Sequence, residues 1–408
     1  MELFSSANSL VRARAPASPV TCLRPHAAVR AARYFKRNFP GEILYALKSN
    51  PRSEILNAIH DAGIKHFDVA SIAETKLAAE RFPSVRLSYM HPVKSREAIG
   101  QAYFDYGVRD FALDSFDELA KITAATEGAR DLTLLIRLAV PNDHAELDLS
   151  AKFGIGPAHA KDLLVQTRAI SARVGVCFHV GSQCMDPSAF GLALDRVGDL
   201  IRSSGVMLDI VDIGGGFPSL YADMTPPPLD AYMGEISTAL ERIPIGNGCE
   251  IWAEPGRALV AEAASTVVRV DHRRDDHLYI NDGTYGSLFD AGVPGFVYPA
   301  RAIRPPGRPH GWPSRALAPF SFYGPTCDGL DYMKGPFMLP EDMREGDYIE
   351  IGQTGAYGCT MRTRFNGFYS DETAILRDQP MLSLYRRPTR PHRPASAALY
   401  YDKSGTDQ

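Results

Sequence analysis

Between residues 42 and 254, short apolar runs alternate with longer stretches whose apolar positions recur every three or four residues. The runs are EILYAL (42–47), HFDVA (66–70), VRLSYM (85–90), DFALD (110–114), LTLLIRLAV (132–140), VGVCFHV (174–180), LDIVDIG (208–214) and EIWAE (250–254). The stretches between them, such as 53–62 and 72–81, place Ile, Leu and Ala at helical spacing without an internal proline. Strands alternating with helices imply right-handed crossovers and a parallel sheet. Eight such units predict closure into a (β/α)₈ barrel. An open doubly wound sheet is the alternative, weakened because no G-x-G-x-x-G follows the first run.

After about residue 260 the texture changes. STVVRV, HLYIND, DYIEIG and TAILRD are short β-type runs separated by Pro, Gly and Asp clusters. Residues 291–313 carry six prolines and cannot form a central strand. The expected α/β architecture is therefore a barrel over 36–260, then a β-rich domain over 261–385 that also takes up 18–35. Both ends read as flexible. Residues 1–17 have no acid after Glu2, a composition that a mitochondrial or plastid transit peptide shares with a loose terminus. The tail 386–408 opens with four Arg and three Pro in nine residues.

Composition narrows the function. Across 408 residues, 45% hydrophobic and 23% charged content excludes the disordered and fibrous classes. The −4 balance of 44 basic and 48 acidic residues removes the footprint of a nucleic-acid binder. No run is long and apolar enough to predict a membrane span. The cysteines at 22, 177, 184, 249, 327 and 359 form no C-x-x-C pair and read as reduced thiols, with no metal site. A cytoplasmic enzyme is expected.

In a parallel barrel, chemistry gathers at the C-terminal ends of the strands. The polar residues there are Lys48, Asp68, His91, Asp114, Arg137, His179, the run Gly214, Gly215 and Gly216, and Glu254 with Arg257. Singly, each has a plain reading as a loop lysine, a half-buried histidine or a tight turn. Together they describe an anion site of backbone N–H groups and a fixed cation, beside an amine, a flat imidazole and a carboxylate. That set suits pyridoxal 5′-phosphate (PLP), an aldehyde with a phosphate tail and a ring nitrogen that needs an acidic partner. A Schiff-base lysine needs an amine that is not always charged, which burial and nearby cations favour.

The motifs YALKSNP (45–51), FDVAS followed by Glu74, HVGSQ (179–183), DIGGGFP (212–218), EPGR (254–257), YINDGTYGS (279–287), GPTCDGLD (324–331), GAYG (355–358) and FNGF (365–368) occur in that order. In this the chain resembles the alanine-racemase-like, fold-type III PLP decarboxylases, above all the eukaryotic-type ornithine decarboxylases. The resemblance implies that Lys48 carries the cofactor aldehyde, His179 stacks on the ring and Glu254 keeps the ring nitrogen protonated. It gives the phosphate to Ser182, Gly214, Gly215, Gly216, Gly256, Arg257 and Tyr357. Asp68 and Arg137 would orient Lys48 and the surrounding carboxylates. Cys327 would protonate the substrate α-carbon, and Asp328 would receive its distal amine. It further implies a head-to-tail homodimer, with Cys327 and Asp328 reaching the partner's site.

The expected reaction is L-ornithine to putrescine and CO₂, with L-lysine to cadaverine beside it. Some positions depart from the pattern. Gln183 stands where glycine is usual, and Gly358 where a hydroxyl residue is common. The nearest alignment puts Pro299 where a second acid for the distal amine belongs, with Asp290 a distant substitute. A diaminopimelate or arginine decarboxylase of the same fold is an alternative, against which CDGLD and the compact length speak. An alanine racemase would need a tyrosine base in the β domain. A catalytically inactive, antizyme-inhibitor-like regulator is a third reading, disfavoured because Lys48, Arg257, Cys327 and Asp328 are all kept.

Overall fold

The structure, a computed structural model, describes residues 1–141, 143–147, 152–305 and 313–385. All eight apolar runs are strands: Glu42–Ala46, His66–Val69, Arg86–Tyr89, Asp110–Leu113, Thr133–Arg137, Arg173–Cys177, Ile210–Asp212 and Glu250–Ala253. They pair in parallel and in chain order, and the last closes on the first through Trp252–Glu42 and Ala253–Ile43. Each strand is buried on both faces, which is why its sequence is a continuous apolar run. Leu44, Met90, Ala112, Leu135, Cys177, Ile210 and Trp252 fill the barrel. Their neighbours Tyr45, Phe111, Leu134, Val176 and Val211 point outward and pack with the helices.

Serine caps set where three of the barrel helices begin. Ser71, Ser95 and Ser115 accept the backbone N–H of Glu74, Ala98 and Glu118, and each cap stabilises its helix by about 1 kcal/mol. At the N-terminal end of the barrel a polar layer plugs the bore. There Arg86 forks onto Asp110 at 2.7 and 3.0 Å, and Ser88 Oγ lies 2.6 Å from His66 Nε2. This layer is fully packed and belongs to stability.

The second domain is a nine-stranded sheet. Its hub is the strand Ala264–Arg274, antiparallel to Val20–Leu23, His277–Ile280 and Tyr348–Ile351. Among the described residues the proline-rich stretch contributes one short strand, Ala300–Ile303, which pairs there with Tyr348–Ile351 alone and so stays at an edge. Two hydrogen bonds join the sheet domain's 355–357 turn to the barrel mouth. Asn50 Nδ2 donates to the Gly355 carbonyl at 2.7 Å, and the Tyr357 N–H donates to the Ser49 carbonyl at 2.9 Å. No helix among the described residues is long and apolar enough to cross a membrane.

The N-terminal expectations are corrected. Residues 1–17 do not form a loose end: Glu2–Phe4 is a strand paired with Thr373–Leu376, and Ala7–Arg14 is a helix capped by Ser6. Ala7, Leu10 and Val11 are fully buried against Val20, Val267 and Leu376. The 18–35 segment divides. Val20–Leu23 joins the sheet, but the helix Pro25–Asn38 buries Ala27, Ala28, Ala31, Ala32 and Phe35 in the barrel cluster. The tail 386–408 lies outside the described residues.

Candidate active site

A cleft of about 330 Å³, counting its open mouth, sits at the C-terminal end of the barrel. Lys48, His179, Ser182, Gly215, Gly216, Glu254, Gly256, Arg257 and Tyr357 line it, with Ala46 and Phe217 between them. Residues from four strand ends and from the sheet domain's GAYG turn thus converge on one space.

Lys48 lies in a single 3₁₀ turn directly after the first strand. Its Nζ is 3.3 Å from Asp68 Oδ2, at the end of the second strand. The Asp68 carboxylate holds the amine above the ordinary lysine range, against the opposing pull of burial. Sequence reasoning points to burial and nearby cations for a free amine; here the anion wins, and Lys48 is an ammonium ion held in place. His179 behaves oppositely. Burial, then Arg137 and Lys48, drive its pKa well below the usual histidine value. Its Nδ1 accepts the Gly181 N–H at 3.0 Å, so the neutral ring carries its proton on Nε2.

The glycine run is dictated by space. Gly214 (φ +68°) and Gly216 (φ +107°) adopt backbone that L side chains rarely take. A Cβ on Gly214 would stand 1.9 Å from the Phe178 carbonyl oxygen, and one on Gly215 would stand 3.0 Å from His179 Nε2. Backbone therefore lies where a side chain would block the cleft. Arg257 closes that end. Its guanidinium is buried, with Nη1 2.7 Å from both Tyr221 Oη and Asp290 Oδ2 and with Ser182 Oγ at 3.4 Å. The Phe296 and Tyr357 rings stack near it at 5.2 and 5.0 Å. At the other end stands Glu254, whose buried Oε1 meets no donor outside its pair with Asp212. Burial, then Asp212 and Asp68, push its pKa well above the carboxylate range.

These residues fit PLP. An orphaned buried carboxylate oxygen costs about 1–3 kcal/mol, a cost that a ring N–H would remove. The glycine loop, Ser182 and Arg257 offer an anion site at the opposite end of the same cleft.

The pyridoxal-binding domain of the pyridoxal-dependent decarboxylases matches residues 26–261, and their C-terminal sheet domain matches 259–355. The chain belongs to this family. A lysine/ornithine decarboxylase of Selenomonas ruminantium is 35% identical over 85% of this chain and 87% of its own length. The ornithine decarboxylase of Panagrellus redivivus is 32% identical over 83% of this chain and 80% of its own. The solved S. ruminantium lysine decarboxylase with PLP and cadaverine superposes with a TM-score of 0.77, at 30% identity, covering 92% and 95% of the two chains. The protein is thus a PLP-dependent decarboxylase, and the relatives named here are ornithine and lysine decarboxylases.

For this decarboxylase the structure also shows what sequence reasoning missed. Tyr221 and Phe296 surround Arg257, joined by Asp290, which the sequence offers only as a substrate acid and not as a partner of this arginine. Pro299 accepts the Gly352 N–H at its carbonyl, whereas Asp290, the distant substitute, is buried behind Arg257 and is not itself part of the lining. Arg137 and Asp68 stand behind the lining: Asp68 holds Lys48, and the charge of Arg137 acts on His179 and Asp212. His91 and Asp114 stay outside the cleft, with Asp114 accepting the Gly154 N–H at 3.0 Å. Cys327 and Asp328 are not part of their own chain's cleft either. Cys327 is exposed, and its N–H donates to Asn366 Oδ1 at 3.0 Å. Around that loop Leu330 is 74% exposed, Phe368 49% and Phe365 44%, an apolar face beside the thiol.

Proposed function

We propose that this decarboxylase converts L-ornithine to putrescine and CO₂, with L-lysine to cadaverine beside it, in a homodimer whose sites each borrow Cys327 and Asp328 from the partner. Putrescine would feed polyamine synthesis in the cytoplasm. PLP, when bound, supplies an electron sink for the pair left on the α-carbon as the carboxylate departs. The chain does the rest. Lys48 Nζ, held by Asp68, is the amine for the cofactor aldehyde. Glu254 accepts the ring N–H, and the His179 ring covers one face of the cofactor. The N–H groups of the glycine loop, Ser182 and Arg257 hold the phosphate, with Gly256 and Tyr357 completing that end. Cys327 Sγ delivers the proton to the α-carbon.

The observation that carries the substrate reading is the carboxylate of Asp328. The Leu330 N–H, and then the Tyr285 hydroxyl, hold it below the usual aspartate range. An ionised acceptor next to an exposed thiol suits a distal ammonium held while the neighbouring thiol works at the α-carbon. Amine products from a mixture of ornithine, lysine, arginine and diaminopimelate test the reading. Putrescine should dominate, with some cadaverine. Agmatine as the main product, or lysine formed from diaminopimelate, would overturn it.

A further inference from the structure

Glu254 does not stand alone. Asp212 ends the seventh barrel strand, is fully buried, and accepts the Gly214 N–H at 2.8 Å through Oδ1. Gly214 in turn accepts the Glu254 N–H at its carbonyl, also at 2.8 Å. The first residue of the glycine loop is therefore stitched to Asp212 on one side and to Glu254 on the other. Asp212 and Glu254 are buried carboxyls hydrogen-bonded to each other, and neither Asp212 Oδ2 nor Glu254 Oε1 meets a donor from any other group among the described residues. For packing alone this is a poor choice. Asparagine could accept the same Gly214 bond without placing a second carboxylate beside Glu254. The charge at position 212 needs a reason outside the fold.

We propose that Asp212 is a positioning residue that couples the carboxylate reserved for the cofactor's ring nitrogen to the glycine loop reserved for its phosphate. The proposal rests on the roles given above to Glu254 and the loop. One consequence is electrostatic. Burial pushes Asp212 up to about 6, and Asp212 is the leading charge pushing Glu254 up. The other charges facing the pair are Asp68, Arg137 and Lys48, while the Cys177 thiol across the strand is kept protonated by burial. Removing the charge at 212 should therefore let Glu254 ionise at lower pH.

The test is the PLP dissociation constant as a function of pH, by absorbance titration of the whole protein, for wild type, Asp212→Asn and Glu254→Gln. The titration of the cofactor phosphate is common to all three. Asp212→Asn keeps an acceptor for Gly214 and should move the midpoint of the profile down by at least about half a pH unit, roughly threefold in the equilibrium. Glu254→Gln should remove that midpoint. A merely structural role for Asp212 would change affinity equally at every pH. If Glu254→Gln loses the midpoint while Asp212→Asn leaves it in place or raises it, the coupling is overturned and the Glu254 assignment survives. If Glu254→Gln keeps the wild-type profile, the ring-nitrogen assignment itself falls, and the coupling falls with it.

Discussion

Arg257 lies just past the last barrel strand, and its partners come from separate stretches of chain: Ser182, Tyr221, Asp290, Phe296 and Tyr357. Arg257→Ala should raise the PLP dissociation constant at least about tenfold, or ~1.4 kcal/mol. Unchanged affinity in an equilibrium titration would reduce the glycine run to a turn. Lys48 makes a sharper case. Borohydride reduction of the PLP-loaded protein should fix the cofactor on the peptide containing Lys48, and Lys48→Ala should abolish the label. A pyridoxyl group on another lysine would remove the assignment. Lys48, His179, Glu254 and Arg257 were legible because a barrel gathers the residues just past each strand at one mouth. Tyr221, Phe296 and the pairing of Asp290 with Arg257 were not. They sit on irregular segments whose approach to Arg257 depends on how the sheet domain docks, and no local periodicity encodes that.

At the scale of elements, legibility depends on burial. The barrel strands are buried on both faces, so each is a continuous apolar run that hardly anything else explains. The sheet strands Leu317–Tyr323 and Tyr332–Pro340 went unread. Each has residues exposed to solvent, and Pro319, Pro336 and Pro340 within them argue against a strand. The helix Ala7–Arg14 was missed for another reason. Its eight residues bear no acid and mix three apolar anchors with two arginines, a composition shared with loose termini. Its anchors are nevertheless fully buried under the sheet. Leu10→Ala should therefore destabilise the protein by about 2–5 kcal/mol, seen as a lower urea midpoint. An unmoved midpoint would mean that the helix is not part of the folded core.

In the whole molecule the cleft and the Cys327 loop stand apart. The cleft holds Lys48, Glu254 and the anion site, while the thiol and the ionised acid stand on an exposed loop of the sheet domain, beside apolar residues that face solvent. Exposed apolar residues grouped beside a functional loop are surface that a partner could cover. If a second copy covers it by two-fold symmetry, each loop enters the other chain's site. Complementation decides this. Lys48→Ala and Cys327→Ala should each be nearly inactive in amine production. Mixed and allowed to exchange subunits, they should form heterodimers in which one site has both native residues and the other has neither. With half of all dimers mixed, activity should return to roughly a quarter of wild type. The two variants should carry different tags, so that co-purification reports exchange independently of activity. Exchange without recovered activity would show that Cys327 and Lys48 serve the same chain's site. In that case Asp328 could not hold the distal amine of a substrate bound to the neighbouring barrel, and the substrate reading would lose its anchor together with the shared site.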